Sequence, residues 1–437
     1  MSLRALFLEH VETLQQRTEE TLRDLHLDGL LISAGSPLVY FEDDQDVLFR
    51  SNHHFRHWCP LEGPYHLLLI VPGEKPRLRV YQPADFWHEV KPLESDFWTD
   101  AFTIEVFTDV DEMWKVLPSS AGNIAYHGPD LDKARAASLR VELPGLLPRL
   151  NWNRLVKTPY EQQCLVDATR LAAKGHKAAE RAFHQGGSEL DIHFAYLNAT
   201  RCRDQDLPYE NIICLNEKAA FLHYSAKRDD IHNGRVLLID AGAQARGYAA
   251  DITRTYATED APEEFRALLD DVIVMQKEIC DSIRIGSRMN DLHYNTHERI
   301  AALLIRHGIL INCDEAKALK DGYTSAFFPH GLGHGLGIFV HDVAGRQADK
   351  NGTLGEPDPR FPRLRNVRPL EVGNYVTIEP GVYFIKMLLD PFRGGEHGVC
   401  FNWGLIDRLM PCGGIRIEDD ILVLEDRIRN VTREFLP

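Results

Sequence analysis

Four apolar, strand-like runs in the second half of the chain each carry a carboxylate where burial is expected: Asp240 in RVLLIDAGA, Asp251 in GYAADITRTYA, Glu379 in VTIEPGVYF and Glu418 in GIRIEDDILVL. A buried carboxylate needs a partner, because an unpaired charge stripped of water is strongly unfavourable. Asp240 and Asp251 flank the turn-forming stretch 244–247, and an antiparallel hairpin centred between Ala245 and Arg246 sets them directly opposite one another on one face. Opposed carboxylates repel unless they share a proton or a cation, so this hairpin suits a catalytic dyad or a metal. A bulge that turns one of them to solvent is the alternative, and the hairpin alone does not separate the two readings.

Further along, SAFFPHGLGHGLGIFVHDV holds His330, His334 and His341 among glycines 331, 333, 335 and 337. Glycine at this density excludes a stable helix, and with it an HExxH zinc site; a glycine-rich loop that lets backbone and imidazole approach a site closely is expected instead. Each histidine alone reads as a hydrogen-bonded residue at a strand end, whereas three in one loop favour ligation. Two Asp, two Glu and one imidazole suffice for two divalent cations with positions open for water, and four negative charges balance two dications. Oxygen-rich ligation favours Mn²⁺ by hardness, with Co²⁺ or Zn²⁺ as alternatives.

The elements that must position these groups fall into two sets. The first third predicts a small α/β domain: a helix up to about His26, then strands in LDGLLISAG, YHLLLIVPG and NIAYHGP. Between them DDQDVLFRSNHHFRHWCPLEGP reads as an exposed, irregular segment, in which His53, His54 and His57 are too closely spaced to share a direction and Phe55 and Trp58 suggest packing or a substrate wall. The pattern changes across 151–160, where Pro159 suits a helix start ahead of an Ala-rich stretch, so the expected domains are 1–154 and 155–437. A second helix opens at SELD, with Ser188 and Asp191 at capping-box spacing, and long helical patterns cover 263–283 and 290–307.

Composition narrows the function classes. The 437 residues carry 49 Lys and Arg against 65 Asp and Glu, a net charge of −16 that disfavours a nucleic-acid partner. No window reaches the length of an apolar membrane span, and the charged, amphipathic start lacks the apolar run of an export signal. Eight scattered cysteines without a C-x-x-C pair suggest neither a zinc ribbon nor a disulfide framework, and fit reduced thiols in a cytoplasm.

In order along the chain, LLIDAGA, ADITRT, PHGLGHGLGIFVHD, TIEPGVYF and GGIRIEDD resemble the metal-dependent M24 peptidases of pita-bread fold, and within them the bacterial Xaa-Pro dipeptidases, or prolidases, which include organophosphorus acid anhydrolases. The likeness extends to PYENIICLNEKAAFLHYS and the N-terminal FEDDQDVLFRSNHHFRHWCPLEGP. It implies an α/β chain with a creatinase/prolidase-like N-terminal domain and a pita-bread catalytic domain, two metal ions held by Asp240, Asp251, His334, Glu379 and Glu418, and a homodimer in which the N-terminal domain helps to close the partner's site. It also places His223, His341 and Arg416 around substrate and transition state, with Tyr209 and His330 in the same pocket. By the same likeness a metal-bridging hydroxide attacks an Xaa-Pro dipeptide, Glu379 shuttles the proton, and Arg416 either anchors the substrate carboxylate or supports the ligands. Gly335 stands where close bacterial relatives carry proline. Aminopeptidase P, a phosphotriesterase and a metal-free binding module or creatinase-like hydrolase are the competing readings, and the filled ligand positions disfavour the metal-free ones.

Overall fold

Ser2 caps the opening helix, Leu3–Asp24, by accepting the amide of Ala5, and Phe7, Val11, Leu14 and Leu22 at helical spacing form its buried stripe. The computed structural model describes residues 1–87, 89, 93–115 and 123–437. It divides into two units, Met1–Glu161 with Asp349–Thr353, and Gln162–Ala348 with Leu354–Pro437.

The first unit holds a five-stranded sheet of β1 (Gly29–Ser33), β2 (Leu67–Ile70), β3 (Arg77–Tyr81), β4 (Thr103–Phe107) and β5 (Ile124–His127), in the order β4-β3-β2-β1-β5. The β1–β5 and β3–β4 pairs are parallel and the others antiparallel. The sequence reading anticipated β1, β2 and β5 but neither β3 nor β4, because RLRVY carries Arg79 at a position that proves to be buried. That guanidinium is satisfied internally, donating to the Met113 carbonyl (2.6 Å) and to Glu105 (3.2 Å). The His-rich segment is also less irregular than expected: Asn52 caps a short helix, His53–Trp58, whose His54, Phe55, His57 and Trp58 are buried. His57 meets Glu161 (3.2 Å) and its carbonyl meets His10 (2.7 Å), so the segment serves packing.

The second unit takes up helix Pro159–His184 from Gln162 onward, and helix Glu189–Thr200 follows, capped at its start by the expected Ser188–Asp191 capping box. Strands β6 (Ile212–Leu215), β7 (Val236–Asp240), β8 (Gln244–Ala245), β9 (Tyr248–Ala249) and β10 (Thr253–Ala257) follow, then helices Glu263–Ser282 and Met289–Arg306. After the glycine-rich segment come β11 (Tyr375–Ile378), β12 (Gly381–Tyr383), β13 (Gly414–Arg416), β14 (Asp419–Val423) and β15 (Ile428–Asn430). The strands form sheets β10-β7-β6, β11-β14-β15 and β12-β13, with β8-β9 as a small ribbon.

Period-two alternation divides these strands between a core side and a site side. Val376, Ile378, Ile415, Ile417 and Ile421 join the core with Phe265, Leu268 and Val272 of the helix behind them. The residues between them, Thr377, Glu379, Arg416, Glu418 and Asp420, face the other way. Burying each such aliphatic side chain contributes roughly 1.5–3 kcal/mol, which is what holds the polar face in place. No described helix is long and apolar enough to cross a membrane.

Candidate metal centre

The hairpin expected to oppose Asp240 and Asp251 forms in a shifted register. It turns on Arg246 and Gly247, both at positive φ (51° and 90°), the requirement of a two-residue hairpin turn whose second place suits glycine. Asp240 therefore opposes Thr253, and Asp251 stands two residues earlier, on the same face but diagonal to Asp240. Thr253 in turn bridges Glu418. The β11–β14 pair (Ile378 with Asp419) and the β12–β13 pair (Gly381 with Arg416) continue one register, which sets Glu379 opposite Glu418.

The glycine-rich segment is not a free loop; its Leu332–Leu336 stretch lies extended along β11. Glu379 N donates to Leu332 O (2.8 Å), Thr377 N to His334 O (2.9 Å) and Leu336 N to Tyr375 O (2.9 Å). Gly333 permits this approach, since a Cβ there would fall 1.9 Å from the Thr377 carbonyl oxygen. Its neighbour His334 is thereby delivered to the face that carries Glu379. One side of the sheet thus collects Asp240, Asp251, His334, Glu379 and Glu418.

Their side chains converge. The Tyr209 hydroxyl lies 2.7 Å from Asp240 Oδ1 and 2.6 Å from Asp251 Oδ1. His334 Nδ1 donates to the Gly335 carbonyl (3.0 Å), which aims Nε2 at the carboxylates, 3.4 Å from Asp251 Oδ2 and 3.7 Å from Glu379 Oε1. Ligand atoms of Asp251, His334 and Glu418 lie within 4.8 Å of one another, and among the described residues this is the one group of three with metal-ligand geometry.

Around these donors runs a hydrogen-bonded frame. Arg416 donates through Nη2 to Asp240 Oδ2 (2.7 Å), through Nη1 to the Tyr383 hydroxyl (2.9 Å) and through Nε to Thr253 Oγ1 (3.1 Å). The Thr253 hydroxyl donates to Glu418 Oε2 (2.6 Å), and Tyr383 donates to His330 Nε2 (2.8 Å), whose Nδ1 donates to Gly331 O (2.9 Å). With all three nitrogens engaged and 5% of its surface exposed, Arg416 has the geometry of a partner to the ligands, not of an anchor for a substrate carboxylate. His341 stands at the exposed edge, its ring edge-on to His334 at 4.4 Å. His223 is exposed too, near enough for its charge to bear on His341, and so is Arg365.

Thr253 and Tyr383 were not singled out in the sequence. The signal was present for both: they follow Asp251 and Glu379 at even spacing, which keeps a strand residue on the same face.

The electrostatics are those of a site short of positive charge. Burial, reinforced by Asp251, raises Asp240 to about 6 although Arg416 opposes it. Burial also raises Glu379 to about 7 against the pull of His334 and Arg416. Glu418 is raised well above the carboxylate range by burial and then by Asp251. His334 goes the other way: burial lowers it, but Asp251 and Glu379 outweigh burial and hold it at about 9. At about 4 Å and an effective dielectric constant of about 20, each pair of like charges costs about 4 kcal/mol. Four carboxylates facing one guanidinium and one imidazole are therefore a donor set that divalent metal fits.

Residues 163–425 match the model of metallopeptidase family M24, and residues 5–151 match that of the N-terminal domain of Xaa-Pro dipeptidases. The Xaa-Pro dipeptidase of Edwardsiella ictaluri (strain 93-146) is 42% identical over 438 residues, covering 99% of both chains. That of Proteus mirabilis (strain HI4320) is 43% identical over 440 residues, covering 99% of this chain and 98% of its own. Among solved structures, Pseudomonas aeruginosa aminopeptidase PepP superposes with a TM-score of 0.73 at 21% identity, covering 97% of this chain and 95% of its own. Proline aminopeptidase P II from Yersinia pestis gives 0.73 at 20% identity, covering 100% and 97%. These last two establish a shared fold. Family models over both units and relatives of matching length agree on one conclusion, that the chain belongs to the M24 metallopeptidases, in the branch of the bacterial Xaa-Pro dipeptidases.

Proposed function

We propose that the protein is a cytoplasmic, homodimeric exopeptidase that cleaves Xaa-Pro dipeptides to release proline, with two Mn²⁺ ions per subunit held by Asp240, Asp251, His334, Glu379 and Glu418. The observation that carries this reading is the convergence of those five donors on one sheet face, in a chain 42% identical end to end to an Xaa-Pro dipeptidase. Eight free cysteines accord with a reducing compartment. Residues 1–154 would form the domain that closes the substrate site and contributes to the dimer, and 155–437 the catalytic domain.

When bound, the metal supplies a water acidic enough to attack at neutral pH and polarises the scissile carbonyl. Glu379, held near pH 7 by burial, takes the proton of the attacking water and returns it to the prolyl nitrogen, which must be protonated to leave. His341 and His223, at the exposed edge, donate to the developing oxyanion. Tyr209 and His330 fix the substrate from the buried side. Because Arg416 is committed inside the frame, the substrate's carboxylate is read by an exposed guanidinium, for which Arg365 beside His341 is placed.

Proline release from Ala-Pro by Mn²⁺-loaded protein, run beside Ala-Pro-Ala and a chelator-treated control, tests the reading. Metal-dependent cleavage of the dipeptide alone is expected. Release of free alanine from the tripeptide would make the protein an aminopeptidase P, and cleavage of neither would remove the peptidase reading.

A further inference from the structure

Cys313 and Cys400 are distant in sequence and meet in the second unit. Residues 310–312 run antiparallel to 399–401: Leu310 bridges Phe401, Ile311 N donates to Cys400 O (2.9 Å), and Asn312 Nδ2 donates to Val399 O (2.9 Å). Asn312 takes a left-handed conformation (φ 54°), which turns the chain at the residue between Ile311, whose amide meets Cys400, and Cys313. Cys400 Sγ donates to the carbonyl oxygen of Asn312, the residue preceding Cys313, at 3.8 Å, and Cys400 lies near enough to act on the Cys313 thiol. Cys400 is buried, whereas Cys313 is partly open to solvent.

We propose that Cys313 and Cys400 are a redox pair that closes to an intramolecular disulfide by exchange with a low-molecular-weight disulfide such as oxidised glutathione. Cys313, the accessible member, loses its proton and attacks one sulfur of the small disulfide, whose S–S bond breaks to release one small thiolate that is then protonated. Cys400 loses its proton, attacks Cys313 Sγ in the mixed disulfide and expels the second small thiolate, which is protonated in turn. Two protein thiols are oxidised by two electrons and one small disulfide is reduced to two thiols.

Burial and the neighbouring Cys400 push the Cys313 thiol up to about 11. A thiol of high pKa attacks slowly but also leaves slowly, so the pair should close at a modest rate and then resist reduction. Closure ties the segment after helix Met289–Arg306 to the segment carrying Phe401. That ring stacks on Phe327 (6.2 Å, 19°), three residues before His330. Phe327 ends the short helix Tyr323–Phe327, whose first residue, Tyr323, also packs on Phe401 (4.9 Å).

The test uses the native, metal-loaded full chain, incubated with oxidised glutathione in mildly alkaline buffer, alkylated and digested. Two of the eight thiols should become protected, as one linked pair of peptides holding Cys313 and Cys400, with no retained glutathione. The rate should rise about tenfold per pH unit through the neutral range. Cys313→Ser should leave Cys400 free, and Cys400→Ser should trap a stable glutathione adduct on Cys313. A glutathione adduct that persists on Cys313 in the unmodified chain, a linkage between other cysteines, or a linkage that forms only after denaturation would each overturn the proposal. The unmodified-chain result stands even if a serine variant fails to fold.

Discussion

At Glu379 two demands meet in one carboxyl: burial that raises it to about 7 and a neighbourhood of metal donors that needs it charged. Glu379→Gln keeps the shape and removes the proton chemistry, so turnover should fall by at least about 10²–10⁴-fold at matched metal content, checked by steady-state assay beside elemental analysis. Unaltered kcat in a fully metallated variant would remove the assigned role. The same pKa values set the sign of a pH effect. In the metal-free site Asp240 titrates at about 6, Glu379 at about 7 and His334 at about 9, Glu418 is raised well above the ordinary carboxylate range, and each must be deprotonated to ligate. Mn²⁺ affinity should therefore weaken as the pH falls through 9, then 7 and then 6, with protons released on binding; calorimetry in buffers of different ionisation enthalpy counts them, and zero release would contradict the assignment. Residue type and order were enough to select the carboxylates in the sequence. Thr253 and Tyr383 were harder to see because a hydroxyl in a strand carries no charge to look out of place. Their importance depends on which strand lies alongside, and Arg416 acquires its three partners only when β7, β10, β12 and β13 are assembled.

At the scale of elements, the glycine-rich segment shows where sequence reading stops. Glycine content correctly excluded a helix, yet a string of glycines does not say whether it floats or lies against a strand, and here backbone pairing with β11 decides. Gly333→Ala should force β11 and the segment apart, because the new Cβ meets the Thr377 carbonyl at 1.9 Å. Its expected result is loss of bound metal together with a lowered thermal midpoint, both measurable on one preparation. The hairpin makes the complementary point: alternation put both aspartates on one face correctly, but the pairing itself depended on which two residues took positive φ. A second element-level prediction concerns Glu189, buried at the first turn of helix Glu189–Thr200. Its Oε1 accepts from Leu215 N (2.9 Å) and Arg228 Nη2 (2.8 Å), and its Oε2 from the Tyr224 hydroxyl (2.8 Å) and Arg228 N (2.8 Å), so it gathers the segment that carries His223. Glu189→Gln should lower kcat/KM by about tenfold in the unmodified chain and hardly at all in a His223→Ala background. Losses that simply add would make Glu189 a structural residue with no link to His223.

Across the whole molecule, buried imidazoles tie stability to acidity. Burial lowers His10 and His66 in the first unit to about 4, and in the second unit His293 to about 4 and His176 and His297 to about 3. Each is neutral when folded and would protonate near 6.5 once released. Their contribution is therefore complete above 6.5 and is lost progressively as the pH falls towards the folded values. The thermal midpoint of the metal-free chain should drop steadily below 6.5, and a flat profile down to 4 would show that these rings are not held as described. Helices and strands in both units, and the chain order of the strands that carry the candidate donors, were legible from alternation and capping. Strand β3 was not, since a buried arginine breaks the apolar pattern that reveals a strand. The register that joins Asp240 through Thr253 to Glu418 has one more consequence, for a chain being made on a ribosome. Synthesis runs from the N-terminal side onward, and Glu418 is made after Asp240, Asp251, His334 and Glu379. The five candidate donors cannot gather before Glu418 has been made, so a nascent chain stalled before Glu418 should bind no metal tightly.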